Sequence, residues 1–204
     1  MNDIVTKKNF FTMAERDDGN DVAFGTFRAH PLTDGHTDVG NIMTKNHKTV
    51  IIGIGSAQLS GVDGNPFNVE DRMAMWRNIF GDRIKLVPLA DLGTCDPEEW
   101  VKYVLTKITN MGLPEPTNYY GGLENASWYR SHFHLDGEKI TDNHKNKNGV
   151  IRQIHPMTRV TPISGTEVRN FIQLRMDIWK KYVAPVNHRL VEDKYPDHLR
   201  VPKK

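Results

Sequence analysis

Apolar runs alternate with amphipathic stretches along most of the chain, which predicts strands alternating with helices. The clearest strand is residues 48–57 (KTVIIGIGSA), where apolar residues follow one another without polar alternation. Such a run is typical of a parallel strand that is covered on both faces. The clearest helix is residues 68–81, where Met73, Trp76 and Phe80 fall on one face at helical spacing.

The remaining elements continue this alternation. Further strands are predicted at residues 21–27, 84–91, 117–122 and 149–157, further helices at 37–46, 96–109 and 165–183, and a polar loop at 140–149. This order predicts an α/β fold, a Rossmann-like doubly wound parallel sheet with helices on both faces. We expect one domain at residues 21–185, preceded by an extension at 1–20 and followed by a charged tail at 186–204.

Charge and composition narrow the class of partner. The 204 residues include 27 Lys and Arg against 25 Asp and Glu, a surplus too small to predict nucleic-acid binding. No apolar run approaches the ~20 residues of a membrane helix, and the N-terminus lacks the apolar region of a secretory signal. The single cysteine, Cys95, excludes an internal disulfide framework. We therefore expect a cytoplasmic protein that binds neither membranes nor nucleic acids.

The first candidate site is the stretch 25–36 (GTFRAHPLTDGH), which follows the first strand. Ligands of doubly wound sheets bind beyond the carboxyl ends of the strands. Gly25 indicates a close backbone approach, and His36 lies at the next helix start, where free N–H groups and the helix dipole favour phosphate. Taken alone, the stretch is more typical of an ordinary glycine turn with a surface histidine.

The second candidate site is the stretch 161–169 (TPISGTEVR) at the start of the last long helix. Ser164 or Thr166 is expected to cap this helix, and Arg169 falls one turn in, beside the exposed N–H groups. Hydroxyls, amides and a guanidinium would bind phosphate, although a well-capped helix with a solvated arginine explains the pattern equally simply. Two such helix starts on one sheet indicate phosphate binding more strongly than either does alone.

These two stretches resemble the GxFxPxHxGH turn and the ISxTxxR helix start of the nucleotidyltransferase α/β phosphodiesterase superfamily. In the middle of the chain, IIGIGSAQLS, NPFNVEDRM and PLADLG are similar to nicotinamide-nucleotide adenylyltransferase of the archaeal type. That type also forms the N-terminal half of some bifunctional adenylyltransferase/Nudix proteins, which ENASWYRSHF (124–133) resembles most. The resemblance covers residues 21–185, and the sequence contains no Nudix box.

The resemblance implies an activity: ATP and nicotinamide mononucleotide (NMN) react to give NAD and pyrophosphate. Mg²⁺ is expected as a partner of the ATP phosphates, with no metal ligands from the protein. Two alternatives stay open, an enzyme that uses nicotinate mononucleotide and a binding protein for NAD or ATP that has lost turnover. Members of the family commonly form homo-oligomers, which is therefore one expectation for this chain.

The resemblance also assigns residues to the ligands. His36 and Arg169 are expected to act in catalysis on the phosphates. The ATP site is expected to comprise Gly25, Thr26, Phe27, Arg28, Gly35, His36, Ser164, Gly165, Thr166 and Arg169. NMN or NAD is expected to contact Gly55, Ser56, Gln58, Asp91, Trp100 and Gly121. Asp91 would bind the carboxamide and Trp100 would stack on the ring, although core packing also explains Trp100. Arg72 is either a ligand contact or structural.

The first motif departs from the family pattern. Gly25 to His36 spans twelve residues where the family usually has ten, and Thr33 falls where the family has its first histidine. Either His30 takes over that role through the longer turn, or Thr33 supplies a hydroxyl and His30 lies in solvent. His30 and Thr33 are therefore both candidate catalytic residues. Four further histidines form no convincing metal site; these are His132, His134, His144 and His155.

Overall fold

The fold is known from a computed structural model that describes residues 21–93, 96–122, 130, 143–145, 151–157 and 163–202. Its sheet contains strands β1 Val22–Phe27, β2 Thr49–Ile54, β3 Lys85–Pro88, β4 Asn118–Gly121, β5 Asn143–Lys145 and β6 Ile151–Pro156. The strand order is β3-β2-β1-β4-β6-β5. The first five strands in this order are parallel, and β5 pairs antiparallel with β6 at the edge. The predicted α/β Rossmann-like fold is confirmed.

Helices cover the sheet. The α-helices are α1 Asp34–Asn46, α2 Val69–Phe80, α3 Pro97–Asn110, α4 Gly165–Gln173 and α5 His188–Lys194. Short 3-10 helices occupy Gly81–Arg83, Asp177–Tyr182, Pro185–Asn187 and Asp197–Leu199. Local chemistry sets the ends of α2, because the Asn68 side chain accepts a hydrogen bond from the Asp71 N–H and Gly81 follows with a φ of 57°. Among the described residues, no helix combines the length and apolar character that crossing a bilayer would require.

Two apolar clusters lie on opposite faces of the sheet. Successive strand residues point to opposite sides, so Ile52 packs under α1, α2 and α4, whereas Ile51 packs under α3. Trp76 of α2 belongs to the first cluster and Val104 of α3 to the second, and both are buried. The unbroken apolar run of β2 therefore reflects a strand covered on both sides, as predicted.

Three predictions of local structure were wrong. The polar stretch 140–149 contains the edge strand β5, which pairs antiparallel with β6 through the backbone. The helix predicted at 165–183 ends at Gln173, since Arg175 has a left-handed φ of 56° that no helix accommodates. The helix predicted from residue 37 begins three residues earlier, at Asp34.

The described part of the stretch expected as a charged tail, residues 186–202, contains buried side chains. Asn187 and Val191 are 0% exposed, and Tyr195 is 3% exposed. Val191 and Tyr195 belong to the same apolar cluster as α1 and α2. Burying each such side chain contributes about 1.5–3 kcal/mol, which is enough to order a short helix that polar composition alone would not predict.

Candidate active site

The candidate site lies where the carboxyl ends of β1, β2 and β3 meet the N-termini of α1 and α4. The prediction that Gly25 belongs to the turn after β1 is wrong. Gly25 lies inside β1, where it pairs with Ile52 of β2 and Tyr120 of β4. A Cβ at Gly25 would come within 2.9 Å of the Phe27 ring and 3.2 Å of the Tyr120 carbonyl oxygen. Close strand packing is therefore sufficient to require a glycine at this position.

His30 lies buried in the β1–α1 turn, defined as residues 28–33. The side chain is 3% exposed and stacks on the Phe67 ring, with centroids 6.3 Å apart and planes at 15°. The Phe67 N–H donates to His30 Nδ1 at 3.4 Å, which places the imidazole proton on Nε2 in the neutral form. Among the described residues, Nε2 has no hydrogen-bond partner. The alternative that left His30 in solvent is wrong.

Positive charge surrounds His30. Burial, followed by the charges of Arg72, Arg28 and Arg169, lowers the pKa of His30 to about 3. The imidazole is therefore neutral near pH 7, and its Nε2–H is a donor held among three guanidinium groups. The positive charge around the β1–α1 turn is an electrostatic environment that favours a nearby anion.

Thr33 and His36 close the first turn of α1 against each other. Thr33 is the N-cap residue, and its backbone N–H donates to His36 Nδ1 at 3.1 Å, with the Thr33 hydroxyl 2.9 Å from the same nitrogen. His36 Nδ1 thus acts as an acceptor, and the ring proton lies on Nε2. Gly35 lies between them in the first turn, where the backbone N–H groups of a helix start are available to an anion.

Arg169 joins the second motif to the first. Its guanidinium donates to the His30 carbonyl oxygen at 3.0 Å and to Thr166 Oγ1 at 2.9 Å. The helix is capped by Ser164, whose Oγ accepts from the Glu167 N–H, so Thr166 pairs with Arg169 instead. A Cβ at Gly165 would lie 3.7 Å from the Arg169 guanidinium, an ordinary contact.

Arg72 has a structural role, which decides the question that the sequence left open. The side chain is 0% exposed and donates to the backbone carbonyls of Arg28, Gly55 and Ser56 at 3.0, 2.6 and 3.1 Å. A fourth hydrogen bond reaches the Asn68 carbonyl. Burial lowers the pKa of Arg72 to about 10, so the side chain remains charged near pH 7. Arg72 therefore fixes the ends of β1 and β2 relative to each other.

Three of the residues predicted to bind NMN form one cluster. Asp91 accepts from Ser56 Oγ at 3.1 Å and from Gln58 Nε2 at 3.2 Å, and its backbone N–H donates to Gln58 Oε1. Asp91 is exposed, and Ser56 has a left-handed φ of 50° that turns the chain sharply after β2. A carboxylate is therefore presented to solvent at the edge of the site.

The other predicted NMN contacts are placed less uniformly. Gly55 lies close to β1, where a Cβ would be 3.6 Å from the Thr26 methyl group. Thr26 Oγ1 is buried and has no hydrogen-bond partner within the described part of the chain. Trp100 is half-buried against the α3 cluster, and Gly121 ends β4, separated from Asp91 by β2 and β1.

Some residues that shape the site were not predicted. Asn65 Oδ1 accepts a hydrogen bond at 2.7 Å from the exposed Arg28, a predicted ATP contact, and Phe67 stacks on His30. Both partners come from the NPF stretch that carried part of the family resemblance. Tyr195 packs edge-on against Phe67, and nothing in the local sequence indicated that contact.

No protein metal site emerges from the described residues, which contain no group of three or more His, Cys, Asp or Glu side chains able to hold an ion. His155 stacks on the Tyr120 ring and bonds to Asn118, while His132 and His134 lie outside the described residues.

Residues 22–171 match the family model for cytidylyltransferase-like proteins. The chain belongs to the cytidylyltransferase-like family. The match confirms the nucleotidyltransferase resemblance that the two motifs carried. A search of curated proteins by sequence finds no match for this cytidylyltransferase-like chain.

Solved structures show the same fold. A NadR protein in complex with NAD and AMP-PNP aligns with a TM-score of 0.61 and 19% identity, over 84% of this chain and 47% of NadR. A bifunctional NMN adenylyltransferase/ADP ribose pyrophosphatase from Francisella tularensis gives 0.64 and 20%, over 86% and 52%; it was also solved with AMP and a manganese ion. Nicotinic acid mononucleotide adenylyltransferase from Plasmodium falciparum, complexed with NaAD, gives 0.51 and 16%, over 86% and 94%. The cytidylyltransferase-like chain thus spans about half the length of the first two proteins.

Proposed function

We propose that this protein transfers the adenylyl group of ATP to NMN, giving NAD and pyrophosphate. The observation that carries the proposal is the hydrogen bond from Arg169 to the His30 carbonyl oxygen. This bond brings the two phosphate motifs together at one edge of the sheet, although they lie far apart in sequence. The reaction needs such a cluster of donors, because the departing pyrophosphate carries most of the developing charge.

The proposed reaction forms one bond and breaks one. An oxygen of the NMN phosphate attacks the α-phosphorus of ATP, and the bond from that phosphorus to the oxygen bridging to the β-phosphorus breaks. His36 Nε2, the α1 amides and Arg169 would bind the ATP phosphates, with His30 Nε2 as a further donor. Mg²⁺ would be held by those phosphates and would neutralise part of their charge. Catalysis then consists of positioning and charge stabilisation.

The acceptor side of the proposal rests on Asp91. A carboxylate accepts hydrogen bonds from the nicotinamide carboxamide but repels the carboxylate of nicotinate. Ser56 and Gln58 hold Asp91 in place through hydrogen bonds to its two oxygens. We therefore favour NMN over nicotinate mononucleotide, with Trp100 as the proposed stacking surface and Gly55 and Gly121 as backbone contacts.

The proposal assigns the activity to residues 21–185, together with the C-terminal residues that pack on them. The proposal also includes a cytoplasmic location, which the composition of the chain leads us to expect. It further includes a homo-oligomer, which the family resemblance implies. Its support at the level of fold comes from structural neighbours solved in complex with NAD, AMP-PNP and NaAD.

A second candidate function is a nucleotide-binding protein without turnover. It is favoured by one observation, that Thr33 stands in the place of the first family histidine and is occupied in closing the first turn of α1. Loss of one charge-stabilising donor costs about 2.7–4 kcal/mol in other enzymes, which slows turnover without abolishing ligand binding.

The deciding experiment incubates the purified protein with ATP, NMN and Mg²⁺ and measures NAD by chromatography and pyrophosphate release in parallel. We expect both products in equal amounts, with none in the presence of EDTA. Nicotinate mononucleotide in place of NMN tests the acceptor. If calorimetry shows that both substrates bind but no NAD forms, the second candidate function replaces the first.

A further inference from the structure

The C-terminal segment, defined as residues 174–202, lies beyond the family match, which ends at residue 171. The segment nevertheless reaches the candidate site. Three of its side chains, Tyr195, Asn187 and His198, contact residues that hold the β1–α1 turn or the loop beside it. All three therefore influence the positions of the hydrogen-bond donors that are proposed to bind phosphate.

The first of these contacts is a buried column of three rings. Tyr195 meets Phe67 edge-on, with centroids 5.6 Å apart and planes at 78°, and Phe67 stacks on His30. The three residues are 3%, 0% and 3% exposed. Because the Phe67 N–H also bonds to His30 Nδ1, a shift of Phe67 would alter both the position and the proton arrangement of the imidazole.

The second contact runs through α2. Asn187 is 0% exposed and donates to the Met75 carbonyl oxygen at 3.1 Å. The sulfur of Met75 accepts from the Leu32 N–H at 3.5 Å, one residue before the cap of α1. The C-terminal segment thus supports the β1–α1 turn at two positions, His30 and Leu32.

The third contact anchors the loop that holds Arg28. His198 Nε2 donates to the Gly61 carbonyl oxygen at 2.8 Å. The same loop supplies Asn65, whose side chain accepts from Arg28. In contrast, the cluster of Ser56, Gln58 and Asp91 is held by Arg72 and by its own hydrogen bonds.

We propose that the C-terminal segment positions the hydrogen-bond donors that bind phosphate in the active site. Tyr195 is the positioning residue, and it acts on His30 through Phe67. This inference rests on the proposed adenylyl transfer. Tyr195 touches no substrate in this arrangement. Its effect falls on the side that binds ATP and pyrophosphate and spares the side that binds NMN.

The test compares Tyr195→Ala with Trp179→Ala. Trp179 is the matched control, because it is an aromatic residue of the same segment and cluster, is 4% exposed, and is not part of the ring column. We expect Tyr195→Ala to raise the KM for ATP about 10-fold or more, since small displacements of positioned groups are costly, and to leave the KM for NMN within about 2-fold. Tyr195→Phe retains the ring and should restore the KM for ATP.

A second variant keeps the test independent of folding in the core. His198 is exposed, so His198→Ala should fold even if Tyr195→Ala does not. We expect His198→Ala to raise the KM for ATP by a few-fold, and His198→Gln, which retains a donor, to restore it. Equal changes in both KM values, or a change in thermal stability alone as in Trp179→Ala, would overturn the inference.

Binding of inorganic pyrophosphate with Mg²⁺, measured by calorimetry, separates this inference from the proposed function. If the wild-type protein binds pyrophosphate but makes no NAD, adenylyl transfer to NMN is wrong. A pyrophosphate Kd about 10-fold weaker in Tyr195→Ala and unchanged in Trp179→Ala would still support the positioning role. If the wild-type protein does not bind pyrophosphate, or if the two variants bind it equally, the positioning role is wrong.

Discussion

The guanidinium of Arg169 donates a 3.0 Å hydrogen bond to the carbonyl oxygen of His30, a residue 139 positions away in the sequence. This bond connects the start of α4 to the turn that leads into α1. His30 stacks on Phe67 and is buried, so its backbone is held in place. The hydrogen bond to this backbone carbonyl therefore fixes the orientation of the Arg169 guanidinium. The consequence is a preorganised set of donors, which is the form of site that stabilises developing charge most effectively.

Arg169 should not be replaceable by lysine. Its two hydrogen bonds, to His30 and to Thr166, use the planar fork of the guanidinium, which an ammonium group does not reproduce. We expect Arg169→Lys to lower kcat/KM for ATP by about 10²–10³-fold. Steady-state kinetics would measure this, with the exposed Arg189→Lys as control. A wild-type rate in Arg169→Lys would show that charge alone suffices.

His30 and Thr33 should differ in their effects on turnover. If His30 Nε2 is a phosphate donor, His30→Ala should lower turnover by about 10- to 1,000-fold. Thr33→Ala should mainly destabilise the protein by about 1 kcal/mol through loss of the α1 cap, with little effect on turnover. The two are separated by measuring turnover and urea unfolding together. If His30→Ala has normal turnover and Thr33→Ala loses most of its turnover, the phosphate-binding donor is the Thr33 hydroxyl. His36→Ala should lower turnover strongly in both cases.

Asp91 should set the choice of acceptor. Replacing its carboxylate by an amide removes the repulsion of nicotinate and changes the partner of the nicotinamide carboxamide. We expect Asp91→Asn to reduce the preference for NMN over nicotinate mononucleotide by about 10- to 100-fold in kcat/KM, the effect of one hydrogen bond to a charged group. The exposed Asp82→Asn, on the turn after α2, is the control. An unchanged ratio would remove Asp91 from the acceptor site.

Arg72 should be required for stability as well as for binding. Arg72→Met keeps a long side chain but leaves the carbonyls of Arg28, Gly55 and Ser56 without this donor. We expect the free energy of unfolding to fall by about 3 kcal/mol or more and the binding of both substrates to weaken together. Urea denaturation and calorimetry test this against Arg77→Met on the exposed side of the same helix. Wild-type stability with loss of turnover alone would indicate a direct ligand contact.

The stability of the protein should fall on acidification because of His30. Its pKa is about 3 in the folded state against an ordinary value of 6.5, so between these values the unfolded chain binds a proton that the folded chain does not. The stabilisation is therefore complete above pH 6.5 and is lost as the pH falls through that window. Between pH 7 and pH 5 the expected loss from this one residue is about 2 kcal/mol.

Urea unfolding at the two pH values, in wild type and in His30→Gln, measures this loss. The variant should lose less stability on acidification by about the same amount. Burial, and then the charge of His47, also lowers the pKa of His155, to about 4. His155→Gln should therefore remove a second part of the stability loss on acidification, and the double variant should remove both parts. An identical pH dependence in wild type and His30→Gln would contradict the burial of His30.

Local features of the sequence determined much of this protein. The unbroken apolar run of β2 required a strand covered on both faces, and the Asn68 and Asp96 caps fixed the starts of α2 and α3, because these features depend on neighbours within a few residues. The sequence also located the two helix starts proposed to bind phosphate, since a helix start carries its own residue pattern. What each residue at those helix starts does depends on contacts that the pattern does not contain.

The tertiary structure alone decided the state of His30, the role of Arg72 and the place of the C-terminal segment. His30 is buried and neutral because Phe67 and three arginines, distant in sequence, surround it. Arg72 is structural because two strand ends bring three carbonyls within its reach. Residues 186–202 are largely polar in sequence, yet Val191 and Tyr195 are buried in the first cluster and hold the segment against it. All three findings depend on the free energy of packing and burial between residues distant in sequence, which a local sequence pattern does not contain.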